Sequence, residues 1–206
     1  MKVSEVFCSI QGEGPQVGMV TNFIRLSGCN LSCDWCDSKY AQKGKEMSIQ
    51  QIIESLNSHC RNVVITGGEP FIHKDLYTLI KSLSNYNIYI ESNGTIFDSR
   101  LIGIATFIIS PKLEFLNDDY VSVLKKWSIH STFKFVIETV DDFDHARFLC
   151  ERLEKFDDVY FMPKGTEEEQ LKKNMLSLAK LIKDIAPWIR LSPRLQIYLW
   201  GNKRGT

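Results

Sequence analysis

Residues 28–40 read Gly28-Cys29-Asn30-Leu31-Ser32-Cys33-Asp34-Trp35-Cys36-Asp37-Ser38-Lys39-Tyr40 (GCNLSCDWCDSKY). Cys29, Cys33 and Cys36 fall in a C-x3-C-x2-C pattern. The stretch has no helical periodicity, opens on a glycine, and is rich in Asn, Asp and Ser. Those side chains bond nearby backbone, so the segment reads as a loop. Thiolates at this spacing can bend round one small metal centre. Their number is informative: structural zinc closes its shell with four protein ligands. A [4Fe–4S] cubane on three thiolates leaves one iron open to bind something else. Cys8, Cys60 or a histidine could still complete a zinc shell, so the loop by itself favours iron–sulfur without excluding zinc.

The 206 residues suit one domain with a real core. A hydrophobic content of 44% with 24% charged residues is globular, and no segment is apolar enough to cross a membrane. The N-terminus shows no signal-peptide pattern. Lys plus Arg equals Asp plus Glu, at 25 each, which argues against a nucleic-acid scaffold. Six cysteines, three of them within eight positions, fit a metal site in a reducing cytoplasm better than a disulfide framework. Cys8, Cys60 and Cys150 read as small buried hydrophobes.

Outward from the loop, strand-like runs alternate with helical ones. Gln11-Gly12-Glu13-Gly14-Pro15 is a turn, and the strand Thr21–Leu26 feeds directly into the cysteines. Ser48 caps a helix whose Ile49, Ile52, Ile53 and Leu56 share a face. The strand Asn62–Thr66 ends in Gly67-Gly68-Glu69-Pro70, and a helix with Leu76, Leu79, Ile80 and Leu83 follows. The strand Asn87–Glu91 ends in Ser92-Asn93-Gly94-Thr95, and Thr106–Ile109 ends in Ser110-Pro111-Lys112. A helix with Val121, Leu124 and Trp127 leads to the strand Thr132–Glu138. Asp141–Phe156 reads as helix and Val159–Met162 as strand. Thr166 with Glu169 reads as a capping box for a last long helix, and Arg194–Trp200 as an extended segment.

Alternation of this kind specifies an α/β fold with a parallel sheet and right-handed crossovers. About six parallel strands fall short of the eight in a closed barrel, so the expected architecture is a partial, open βα barrel in a single domain. Each polar motif follows a strand directly. The motifs therefore converge at the C-terminal strand ends, where α/β sheets bind ligands.

The cysteine loop resembles that of the radical S-adenosylmethionine (SAM) enzymes. In that superfamily the open iron is chelated by the amino and carboxylate groups of SAM, whose reductive cleavage yields a 5′-deoxyadenosyl radical. IQGEGP, FIRLSGCNLSCDWCDSKY, VITGGEP, ESNGT, ISPK and the terminal LWGNKRGT together resemble the 7-carboxy-7-deazaguanine synthase family over nearly the whole chain. That resemblance implies a lyase converting 6-carboxy-5,6,7,8-tetrahydropterin to 7-carboxy-7-deazaguanine, with loss of ammonia, on the route to queuosine. It implies a [4Fe–4S] cluster on Cys29, Cys33 and Cys36, and SAM beside Trp35, Cys36, Asp37, Gly68, Glu69, Ser92, Ser110, Pro111 and Lys112. Glu69 would accept from the SAM ammonium. Ile10, Gln11, Gly12, Glu13, Arg25, Thr66 and Thr206 would hold the pterin, Arg25 clamping its carboxylate bidentately.

Mg2+ would bind Ser38, where relatives commonly carry threonine. Serine keeps the hydroxyl and loses only a methyl group. The implied partners are the pterin and a reductant protein such as a flavodoxin or ferredoxin, with no nucleic acid and no membrane. Open sheet edges suggest a homodimer. Two other readings share parts of the pattern. A glycyl-radical activating enzyme has the same cysteine spacing but no use for IQGEG, Arg25 or the tail. A zinc-stabilised binding module would need no catalysis.

Overall fold

Short apolar runs such as NVVIT and TFII cannot span a useful helix and cannot face water on both sides, so they enter the middle of a sheet. The structure, a computed structural model, describes all 206 residues. Its strands are β1 (Lys2–Ile10), β2 (Val20–Leu26), β3 (Lys45–Glu46), β4 (Asn62–Gly67), β5 (Asn87–Ser92), β6 (Thr106–Ile109), β7 (Ser131–Ile137), β8 (Val159–Pro163) and β9 (Arg190–Leu191). The helices are α1 (Ile49–Glu54), α2 (Leu76–Ser82), α3 (Asp118–Ser128), α4 (Val140–Arg152), α5 (Glu168–Ile185) and α6 (Leu195–Trp200). All nine strands join one sheet in the order β3-β1-β2-β4-β5-β6-β7-β8-β9. From β2 to β9 every pairing is parallel and in chain order.

Chain-order pairing with crossovers of one hand puts the helices on one face of the sheet. The sheet then curls so that its other face wraps an interior, and here it stays open, with two-residue strands at both edges. Side chains alternate across each strand accordingly. In β7, Phe133, Phe135 and Ile137 are buried among the core, while Lys134 and Val136 face the interior cavity. The helix-facing core is aromatic: Trp127, Phe107, Phe133, Phe135, Phe143 and Phe161 are fully buried. Burying one such ring contributes about 1.5–3 kcal/mol, so the core decides stability.

The six expected parallel strands form, and β9 adds a seventh. The Ser48 cap is a full capping box with Gln51. Four readings need correction. The N-terminal residues, to which the sequence assigned no element, form β1, antiparallel to β2. Leu195–Trp200 is helical, not extended: Pro193 precedes it, Gly201 stops it at φ 64°, and the Leu195 amide donates to the Gly12 carbonyl at 2.9 Å. Helix α5 starts at Glu168 with Glu167 at its N-cap and no side-chain cap, so the Thr166–Glu169 capping box does not form; Arg194 and Asn174 hold the entry turn through the Gly165 and Lys164 carbonyls. Helix α4 ends at Arg152, with Glu154 at φ 53° turning the chain. Cys60 and Cys150 are buried as expected, whereas Cys8 is half-buried.

Candidate active site

The C-terminal ends of β2, β4, β5 and β6 open onto a cavity of about 750 Å3. Its floor is the concave face of the sheet, with Phe23, Arg25, Thr66, Glu91, Lys134 and Val136 pointing in. Its rim is the cysteine loop on one side and the tail, Gly201 to Thr206, on another. Of the side chains that the sequence singled out, all but two line this cavity.

The cysteine loop is stitched to the neighbouring strand end through backbone. The Gly68 amide donates to the Leu26 carbonyl at 3.1 Å and the Glu69 amide to the Gly28 carbonyl at 2.9 Å. A Cβ on Gly68 would lie 1.8 Å from the Gly28 oxygen, so only glycine permits this approach. Cys29, Cys33 and Cys36 all line the cavity. The Leu31 amide donates to the Cys29 sulfur at 3.4 Å, and Asn93 Nδ2 stands 3.9 Å from it. No other cysteine and no histidine lines the cavity. Cys60 donates to the Val20 carbonyl, at the far end of β2, and His73 Nε2 is engaged with the Ser27 carbonyl at 2.9 Å. No fourth cysteine and no histidine therefore stands in the cavity to close a zinc shell. The donor set fits a cluster with one open iron rather than zinc.

Glu69 and Pro111 are the two exceptions. Glu69 is 0% exposed, and its carboxylate accepts from the Phe71 amide, the Ser92 hydroxyl and the Asn93 amide at 3.0, 2.9 and 2.7 Å. It holds the turns after β4 and β5 together beneath the cavity, with Oε1 taken by Phe71 and Ser92 and Oε2 by Asn93 alone. Burial pushes its carboxyl up to about 6, against the lowering effect of those donors. Pro111 is buried, and its neighbours Ser110 and Lys112 do the lining. Lys112 Nζ donates to Ser110 Oγ at 3.0 Å and sits 5.0 Å from the centre of the Trp35 ring, joining the β6 turn to the cysteine loop.

The radical SAM superfamily model matches residues 23–175. A 7-carboxy-7-deazaguanine synthase of Rhodopirellula baltica is 31% identical, the match covering 99% of this chain and 88% of that one. A synthase of the same name from Pyrobaculum aerophilum is 30% identical over 100% and 97%. The chain belongs to the radical SAM superfamily and, within it, to the 7-carboxy-7-deazaguanine synthase family. The crystal structure of QueE from Escherichia coli superposes with a TM-score of 0.69 at 24% identity, covering 93% of this chain and 92% of that one, and so shares its fold. As a radical SAM enzyme it carries an iron–sulfur cluster and uses SAM. No helix is long and apolar enough to cross a membrane.

The polar floor of this radical SAM enzyme is denser than its motifs disclose. Glu13 accepts from Lys134 at 2.8 Å, Arg194 at 3.0 Å and Gln196 at 2.6 Å. Arg194 also donates to the Gly165 carbonyl and to Asp37, next to Cys36. Lys134 stands 3.5 Å from Glu91, which accepts in turn from Gln11 and Thr66. Burial opposes the charge on Glu13, yet Lys134 and Arg194 hold its carboxyl well below the usual range. Lys134, Arg194 and Glu91 escaped the sequence reading. A lysine on an otherwise apolar strand, Phe133-Lys134-Phe135, was the one available signal.

Proposed function

We propose that this enzyme converts 6-carboxy-5,6,7,8-tetrahydropterin to 7-carboxy-7-deazaguanine, the product in its relatives' name, with loss of ammonia, on the route to queuosine and other 7-deazapurines. The observation that carries the reading is one cavity. It joins the three cysteines, the IQGEG turn, Arg25 and the chain's last residue, which lie far apart in sequence. Cys29, Cys33 and Cys36 would hold the [4Fe–4S] cluster. Gly68, Ser92, Ser110, Lys112, Trp35 and Asp37 would line the SAM site, Gly68 through its bare backbone. Bound there, cluster and SAM would supply radical chemistry able to take hydrogen from the substrate.

The chain's own residues bind and orient. Gln11 and Thr66 both reach the Glu91 carboxylate, making a donor–acceptor array that suits the edge of a pterin. Arg25 is held by protein only through Nε, which donates to Glu5 at 2.8 Å. Its two terminal nitrogens remain for a carboxylate, the pairing a guanidinium makes best. Ser38 lines the cavity with its hydroxyl on Asp37 Oδ1 at 3.0 Å, a pair of oxygens that a hard cation such as Mg2+ would accept. The partners in this reading are the pterin, a low-potential flavodoxin or ferredoxin, and a second copy of the chain.

The test is an anaerobic assay of reconstituted enzyme with SAM, dithionite and the pterin, product being read by mass. Arg25→Ala should weaken pterin binding at least tenfold while iron content and SAM affinity stay near normal. Turnover by Arg25→Ala at wild-type efficiency would show that the carboxylate is held elsewhere. Ser38→Ala should raise the Mg2+ needed for half-maximal rate and Ser38→Thr should not. An unchanged Mg2+ response in the alanine variant removes Ser38 from the metal site.

A further inference from the structure

Behind Arg25 lies a cluster that the substrate reading does not use. Glu5 Oε1 accepts from Arg25 Nε at 2.8 Å and from the Tyr40 hydroxyl at 3.0 Å. Glu5 Oε2 accepts from Arg204 Nε, of the C-terminal tail, at 2.8 Å. The Arg204 guanidinium also lies 4.0 Å from the centre of the Tyr40 ring, a stacked contact that adds to the ion pair. Beyond Arg204, Gly205 and Thr206 close one side of the cavity.

Strand geometry explains how Glu5 meets both arginines. Val3 pairs with Leu26 and Glu5 with Arg25, so Ser4 is an extra residue, a bulge in β1. In a regular strand Ser4 and Glu5 would point to opposite faces. The bulge re-aims them, and both reach Arg204, Ser4 through its hydroxyl at 3.5 Å.

We propose that Glu5 is a positioning residue, and Arg204 a latch, that couple docking of the C-terminal tail to the grip of Arg25 on a carboxylated, planar ligand. This rests on the reading of Arg25 as carboxylate clamp and deepens it. With the tail undocked, Glu5 and Arg25 sum to zero charge, and an anion on Arg25 meets a neutralised pair. With Arg204 docked the cluster carries one net positive charge, and Glu5 is shared, which leaves Arg25 freer to bind outward. An anion at Arg25 and the docked tail therefore favour one another, and by linkage each does so by the same factor. The tail that the anion draws in is the segment that covers the ligand.

Two measurements test this. In ligand-free, full-length protein, amide exchange across residues 201–206 should be about tenfold faster in Arg204→Gln than in wild type. In a Glu5→Gln background the same change should add less than twofold, because the latch is already open. In reconstituted holoenzyme, Arg204→Gln should raise KM for 6-carboxytetrahydropterin about tenfold while kcat falls less than threefold, with Arg204→Lys intermediate. The pterin should slow tail exchange in wild type and leave it unchanged in Arg25→Ala. Wild-type KM and wild-type tail exchange in Arg204→Gln overturn the latch. So does tail exchange indifferent to a pterin that the wild-type enzyme turns over. If the wild-type enzyme does not turn over that pterin, the substrate reading falls instead, and the latch is then decided by the ligand-free exchange: faster in Arg204→Gln upholds it, unchanged overturns it.

Discussion

Glu69 ionises at about 6 because desolvation opposes its charge more than the amides of Asn93 and Phe71 and the Ser92 hydroxyl support it. In the unfolded chain the same carboxyl titrates near 4.5. The folded state therefore holds this proton more tightly. The stability that results is fully present below about 4.5 and is lost as pH rises through about 6. Glu69→Gln should remove that slope, seen as the difference between the urea unfolding curves of the two proteins from pH 4 to 7. It should also cost about 1–3 kcal/mol at pH 7, since an amide NH2 cannot accept from the backbone donors that face it. Identical pH dependence in the two proteins would mean that Glu69 titrates normally.

The turn after β4 and the loop after β2 share their backbone, and this is where packing constrains chemistry. At Gly68 the obstacle to a side chain is space alone, since the colliding atoms are Gly28 backbone and cannot rotate away. Gly68→Ala should cost about 1–3 kcal/mol by overpacking and should lower the iron retained after reconstitution, because the cysteine loop must move. Gly18→Ala is the control: its φ of 88° is strained for alanine, but nothing lies within 4 Å. Loss of melting temperature without loss of iron in both variants would separate the turn from the cluster loop. Helix α6 shows the reverse influence. Leu-Gln-Ile-Tyr-Leu-Trp favours a strand by composition, but contacts from its first residues to Gly12 and Glu13 hold it as a helix.

Glu13, Lys134 and Arg194 tie the IQGEG turn, the middle of β7 and the approach to α6 into one charged floor. Removing one partner of a buried ion pair costs about 3–5 kcal/mol, far more than an exposed pair. Glu13→Gln should fall in that range by chemical denaturation at pH 7. Because burial is outweighed by Lys134 and Arg194, the folded carboxyl is depressed below its unfolded value of 4.5. Its contribution is present above that value and drains away as pH falls, so Glu13→Gln should flatten the acid limb of the stability curve. An acid limb as steep as that of wild type would assign acid unfolding to other carboxylates.

What the sequence settled was what lies close along the chain. Cys29, Cys33 and Cys36 fall within eight positions, so the chain keeps them on one loop, and all three line the cavity. The six parallel strands announced themselves because each is a short run rich in apolar residues, four of them ending directly in a polar motif. Partnerships across long separations were decided by the fold. Glu13 meets Arg194 across 181 positions and Glu5 meets Arg204 across 199, and no local pattern marks either pair. Glu69 shows the same division. Its GGEP motif was legible, but its full burial beneath the cavity depends on how β4 and β5 lie side by side. An isolated motif cannot report whether a carboxylate faces a ligand or the core, because burial belongs to the packed sheet.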